Sequence, residues 1–219
     1  MQPAVRSVTA TVLLCLSLAA AAVGAFVYSV LGEPVLSDAE LRDLGVFVLP
    51  RPRAIGAFQL ESTRGGDFTA ADLEGGWSFL FFGFTNCPDV CPTTMALMAQ
   101  AERELLASSP DDADRFAGVL VSVDPERDDV KTLAEYTAAF SPRFYGVTGP
   151  LEELASFARQ LNVGFGKVPA PEGSYTGYLV DHGAQIVIIN PRGHYHGFIR
   201  APHRTDTIVQ TFASLAARF

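Results

Sequence analysis

Cysteine is scarce in this 219-residue chain: Cys15, Cys87 and Cys91 are all it has. So few exclude a multi-disulfide scaffold. Basic residues are in the minority, 16 Lys and Arg against 24 Asp and Glu. At a formal charge of −8 the chain lacks the basic footprint of a nucleic-acid binder. No internal repeat occurs, which excludes a solenoid or array. Aromatic residues are not lacking, at 11%, and the mean hydropathy is positive, so this is no disordered segment.

The sharpest absence is local. Residues 7–32 hold no charged side chain. A helix of those 26 residues, at ~1.5 Å per residue, is longer than the ~30 Å hydrocarbon core of a bilayer. Arg6 precedes the run, while Glu33, Asp38, Glu40 and Asp43 follow it. The positive-inside rule therefore keeps the N-terminus in the cytoplasm and places the rest outside. A cleaved signal peptide is the competing reading of an alanine-rich run; the short basic flank and the length of the run favour an uncleaved anchor. Cys15 follows Leu13 and Leu14 rather than small residues, so it reads as a membrane-helix cysteine and not as a lipidation site. Beyond residue 32 the chain keeps all 24 acidic side chains and 15 of the 16 basic ones, hence −9.

The sequence divides into an anchor (1–32), a tether (33–50) and a domain (51–219). Within the tether Ser37 is placed to cap a short helical turn, with Glu40 completing a capping box. Residues 58–73 read as a small hairpin around Arg64-Gly65-Gly66, followed by a turn. Residues 77–84, WSFLFFGF, form a continuous apolar run of strand length, as expected of a strand buried on both faces. A second such run follows at 116–123, ending at Asp124-Pro125. Helical patterns occupy 93–109, 128–140, 151–163 and 205–219, the last with Thr205 as its expected cap. Strand patterns at 177–181, 185–190 and 194–200 complete the set, and the last two are joined by the turn Asn190-Pro191-Arg192-Gly193. Residues 164–177, rich in Gly and Pro, read as a loop. The order strand–helix–strand–helix–hairpin–helix is the thioredoxin-like arrangement, an α/β fold with a mixed central sheet flanked by helices.

Cys87 and Cys91 sit where a buried strand ends and a helix begins, separated by Pro88-Asp89-Val90. A helix start stabilises anions, so at least one thiol is expected to have a lowered pKa. The spacing permits a disulfide, although closing so short a loop removes little chain entropy. It also permits a shared soft metal ion. Two thiolates alone leave zinc short of its four ligands, whereas one further ligand would suit copper. His182 lies just before a strand that, in a thioredoxin-like fold, runs beside the cysteines, so it is placed to supply that ligand. Asp181 and Asp124 are candidates for orienting His182 or tuning the charge around it; Asp124 reads equally as a turn-forming Asp-Pro. His194 and His196 share one face of a strand, read as solvated, with a secondary metal site as the alternative. His203 reads as structural. Phe82, Phe84 and Trp77 read as sheet core.

Three segments, FGFTNCPDVCPTT, VSVDPERD and YLVDHGAQIVIINPRG, together resemble the Sco/SenC proteins, membrane-anchored copper chaperones of cytochrome c oxidase assembly. The resemblance covers roughly residues 50–219. It implies a thioredoxin-like fold that binds one Cu(I) or Cu(II) through Cys87, Cys91 and His182. It further implies delivery to the CuA centre of oxidase subunit II, an upstream copper donor, and attachment to the bacterial cytoplasmic membrane facing outward, or to the mitochondrial inner membrane facing the intermembrane space. Some members are thought to act instead as thiol–disulfide reductants that keep the CuA cysteines reduced, with Cys87 and Cys91 as the redox pair. The chain departs mildly from the family in having DHG where DHS is common. A peroxidase of the same fold lacks support, because no Thr/Arg constellation accompanies Cys87.

Overall fold

The computed structural model describes residues 3–31, 35–169 and 177–219, without the side chains of 3–7, 25–31, 111 and 112. Its chain separates into two compact units, Met1–Pro34 and Val35–Phe219. The first carries helix α1 (Pro3–Leu31), whose apolar side chains, Leu13, Leu16 and Val23 among them, are exposed. Among the described residues no helix is long and apolar enough to cross a membrane.

The second unit begins earlier than a loose tether would allow. Helix α2 (Asp38–Asp43) starts with the expected capping box: the Glu40 carboxylate accepts from the Ser37 backbone N–H at 2.8 Å, and the Ser37 hydroxyl accepts from the Glu40 N–H. Leu41 and Val46 are fully buried, so residues 35–50 belong to the packed unit. Strand β1 (Val46–Ala54) then pairs with β10 (His194–Ile199) in antiparallel fashion. Its register shifts between Val48 and Arg53, the stretch that holds Pro50 and Pro52. Proline has no N–H to give a ladder, and the outer edge of a sheet, where β1 lies, tolerates it.

The main sheet has the order β1-β10-β9-β4-β5-β6-β2-β3. Its centre is β4 (Trp77–Gly83), buried at every residue. It runs parallel to β5 (Phe116–Ser122) and antiparallel to β9 (Ile186–Ile189). Helix α3 (Val90–Ser108) and the short α4 (Pro110–Ala113) connect β4 to β5; helix α5 (Val130–Ala138) connects β5 to β6 (Tyr145–Thr148). The β2 (Leu60–Ser62) and β3 (Asp67–Phe68) hairpin extends the far edge, and a single 3-10 turn (Ala70–Leu73) leads into β4. Helices α6 (Leu151–Gln160) and α7 (Thr205–Ala216) complete the layers around the sheet.

Three local expectations are corrected. Helix α7 begins at Thr205, so Arg204 is the N-cap and no side chain caps it. Asp206 in the first turn takes up the Arg204 guanidinium instead, at 2.6 Å. Strand β6 was not foreseen from the sequence. The segment 164–177 opens as strand β7 (Phe165–Pro169), paired antiparallel with β8 (Tyr178–His182) in a separate two-stranded sheet, Phe165 opposite His182; residues 170–176 lie outside the described set.

Candidate metal centre

Strand β4 delivers the chain to the site. After Gly83 and the buried Phe84 it passes through 85–89, and α3 starts at Val90. Cys87 thus lies in the loop and Cys91 in the first turn of the helix. A helix start leaves backbone N–H groups without partners. Asp89 holds the N-cap position, yet its side chain makes no cap bond. The Cys87 sulfur accepts the Cys91 N–H instead, at 3.4 Å. Beneath them Gly83 makes room: a Cβ there would lie 2.9 Å from the Cys91 sulfur.

His182 arrives on the last residue of β8. Its Nε2 is 3.5 Å from Cys91 Sγ, and its Nδ1 is 3.2 Å from the Gly183 carbonyl. With the proton on Nε2 the ring donates toward the sulfurs; with it on Nδ1, donated to that carbonyl, Nε2 offers its lone pair to an ion held there. The ring is wedged edge-on against Phe81 and Phe84, at centroid distances of 5.7 and 5.9 Å. One ligand atom from each of Cys87, Cys91 and His182 lies within 4.8 Å of the others, and no other such cluster of three occurs among the described residues.

The two cysteines are free thiols of unlike character. Cys87 is half-buried, and its pKa is pulled down to about 4, chiefly by the hydrogen bond from Cys91; His182 and the N–H groups of Asp89 and Cys91 add to this against the cost of burial. Cys91 is fully buried, and its thiol is pushed far up by its bond to Cys87 and by burial. The pair therefore shares one proton and one negative charge. A second thiolate forms only when a cation arrives to offset it. Two sulfurs and an imidazole nitrogen are a donor set for a soft ion of low coordination number.

The acidic residues expected around His182 are placed otherwise. Asp124 is fully buried, accepts from the Tyr178 hydroxyl at 2.7 Å and is ion-paired with Arg127. Arg127 lies over the Tyr178 ring at 3.9 Å. Asp124 thus holds the start of β8, four residues before His182, and does not touch the imidazole. Asp181 is exposed, and no hydrogen bond joins it to His182 among the described residues. The ring is oriented by the Gly183 carbonyl and the two phenylalanines.

Sequence reasoning missed Asp128. It is fully buried and accepts from the Thr85 N–H at 3.0 Å, the Thr85 hydroxyl at 2.5 Å and the Ser122 hydroxyl at 2.7 Å. It fastens the start of the cysteine loop to β5. In the sequence Asp128-Asp129 looks only like a helix start, and Asp129 does cap α5, accepting from the Thr132 N–H at 2.7 Å. His203 Nε2–H donates to the Ala184 carbonyl at 2.7 Å, steadying the loop after His182. His196 packs on Trp77 at 5.0 Å and pairs with Asn190; with His194 it forms no metal cluster among the described residues. Trp77, Phe82 and Phe84 are buried in the core as expected.

Comparison with known proteins agrees with this arrangement. The family model described as SCO1/SenC matches residues 49–217. A Stutzerimonas stutzeri protein, named for copper binding, is 35% identical over 169 residues, which cover 77% of this chain and 80% of that protein. The mouse mitochondrial protein SCO2 homolog is 35% identical over 164 residues, 75% of this chain and 63% of its own length. This chain thus spans less than two thirds of that relative. The crystal structure of Arabidopsis thaliana ScoI with copper bound superposes with a TM-score of 0.68 at 33% identity, covering 75% of this chain and 98% of the other.

Proposed function

This chain belongs to the SCO1/SenC family, and from that premise we propose that it binds one copper ion through Cys87, Cys91 and His182 and passes it on during cytochrome c oxidase assembly. The observation that carries the reading is the cluster itself: two soft sulfurs and an imidazole nitrogen within 4.8 Å of one another, built onto a buried strand, a helix start and a facing hairpin. The copper-bound relative of the same fold supports it. The recipient in this reading is the CuA centre of oxidase subunit II, supplied by an upstream donor. Residues 1–32 anchor the domain to the outer face of the cytoplasmic membrane, or to the inner mitochondrial membrane in the intermembrane space.

The residues divide the work. Cys87, half-exposed and already a thiolate, meets the incoming ion. Cys91 gives up its proton as the positive charge arrives. His182 Nε2, held by Gly183, Phe81 and Phe84, closes the site. Release runs in reverse: a partner thiolate displaces the donors one at a time, so the ion is never free.

A second reading, a thiol–disulfide reductant that keeps the CuA cysteines reduced, is favoured by one observation, the free dithiol with a low-pKa leading sulfur. One assay separates the two. The full chain, loaded with Cu(I), is mixed with an apo CuA fragment of subunit II, and copper on each is measured. Transfer supports delivery. Failure to transfer, with efficient reduction of the oxidised fragment by the metal-free chain, overturns delivery in favour of reduction.

A further inference from the structure

Beside the cluster lies a cleft of about 260 Å³ that neither copper nor a disulfide would fill. Phe84, Pro88, Val90 and Leu179 give it apolar walls, and Cys87 and His182 open onto it. It falls below the ~300–1,000 Å³ usual for a drug-sized ligand, so it suits an amino-acid side chain. Val90, in the first turn of α3, is 36% exposed although apolar. Two further lining residues, Asp89 and Asp181, are exposed carboxylates. The Asp89 side chain is not used as a helix cap. An apolar hollow beside a half-exposed sulfur, lined in part by two carboxylates, calls for a partner with matching features.

We propose that this cleft selects the partner: it receives a cysteine-bearing segment in which the residue next to the cysteine is apolar and of leucine size, followed by a cationic residue that pairs with Asp89 and Asp181. The inference rests on the reading of Cys87 as the sulfur that exchanges with a partner cysteine. When that cysteine reaches Cys87, its neighbour is carried into the cleft, and burying it adds to the encounter. The carboxylates reject an acidic neighbour by charge.

The test uses the reduced, metal-free full chain carrying Cys15→Ser, so that only the pair reacts. Peptides carry one cysteine activated as its pyridyl disulfide, followed by Leu-Lys, Ser-Lys, Leu-Glu or Ser-Glu. The Cys87 sulfur attacks the peptide sulfur; the bond to the pyridyl sulfur breaks, and pyridine-2-thione leaves after taking a proton. Cys91 then displaces the peptide as a thiol and closes the Cys87–Cys91 disulfide, so the dithiol loses two electrons and the activated disulfide gains them. Thione release gives the rate. Leu-Lys is expected to react about tenfold faster than Ser-Lys and about threefold faster than Leu-Glu at low salt. In a Val90→Ser, Leu179→Ser double variant the Leu-to-Ser ratio falls toward one. In Asp89→Asn, Asp181→Asn the Lys-to-Glu ratio falls toward one while the Leu-to-Ser ratio remains. Equal rates for all four peptides, or ratios unmoved by these variants, overturn the proposal. A copper titration of the same protein keeps the two readings apart: flat peptide ratios with intact copper binding defeat only the cleft, and clear ratios without copper binding defeat only the copper reading.

Discussion

Helices α5 and α3 begin in the same topological position, each following a parallel strand of the central sheet, yet their first turns are built differently. At α5, Asp129 does what a cap residue usually does, its carboxylate accepting the Thr132 N–H. At α3 the corresponding carboxylate, Asp89, makes no cap bond, and a sulfur accepts the N–H instead. The α5 start is a finished structural joint. The α3 start keeps a reactive atom in the capping role; its low pKa comes chiefly from the hydrogen bond of the Cys91 thiol, and the N–H it accepts adds a smaller part. A helix start whose cap is also a ligand can hand that ligand to an ion without unfolding the turn.

The comparison is broken most severely by Cys87→Ser. Serine keeps a hydrogen-bond acceptor two residues before the N-cap, within reach of the Cys91 N–H, so the start of α3 should hold. Thermal unfolding should stay within a few degrees of the parent, while copper affinity, read by competition with a chromophoric chelator, should fall by more than about 100-fold, beyond the 10- to 100-fold that groups outside the ligand set typically contribute. The pH dependence comes next. Copper competes with the proton on Cys91, whose pKa is raised, whereas Cys87 is already ionised above about pH 4. Apparent affinity should therefore rise about tenfold per pH unit between about pH 5 and pH 8, with one proton released per copper. It should fall more steeply as the pH drops through 4, where Cys87 also protonates. Affinity flat with pH over that range would contradict the shared-proton description of the pair.

Smaller effects sharpen the contrast. Asp128→Ala strands the Thr85 N–H and hydroxyl and the Ser122 hydroxyl, a cost of about 1–3 kcal/mol for an unsatisfied buried group. Chemical denaturation should show that loss, with copper affinity reduced less than in Cys87→Ser, because the loop is loosened but every ligand remains. Asp129→Ala, at the structural start, should cost about 1 kcal/mol and leave copper binding unchanged. A copper defect in Asp129→Ala would mean that the two helix starts are not separable in function.

Much of this was legible in the sequence for identifiable reasons. The strands β4 and β5 announce themselves as continuous apolar runs because both faces of each are covered. The pairing of Cys87 with Cys91 follows from local spacing, and His182 was reached through the order of elements. What was hidden depends on contacts distant in the chain. Strand β6 is only four residues, Tyr145-Gly146-Val147-Thr148, too short for periodicity to show. Residues 35–50 look like a tether until Leu41 and Val46 are seen buried. Asp128 and Asp129 are identical letters with different fates, one buried under the cysteine loop and one capping α5. The sequence offers Asp124 and Asp181 as candidates for orienting His182 or tuning the charge around it, whereas in the structure the Gly183 carbonyl and the rings of Phe81 and Phe84 contact the imidazole.

The claim on which the rest depends is that one copper sits among Cys87, Cys91 and His182. X-ray absorption at the copper edge of the loaded full chain, carrying Cys15→Ser, addresses it directly. Two sulfur scatterers and one imidazole nitrogen are expected, with the nitrogen lost in His182→Ala and the sulfurs retained. A spectrum identical in the parent and in His182→Ala would contradict the three-ligand site.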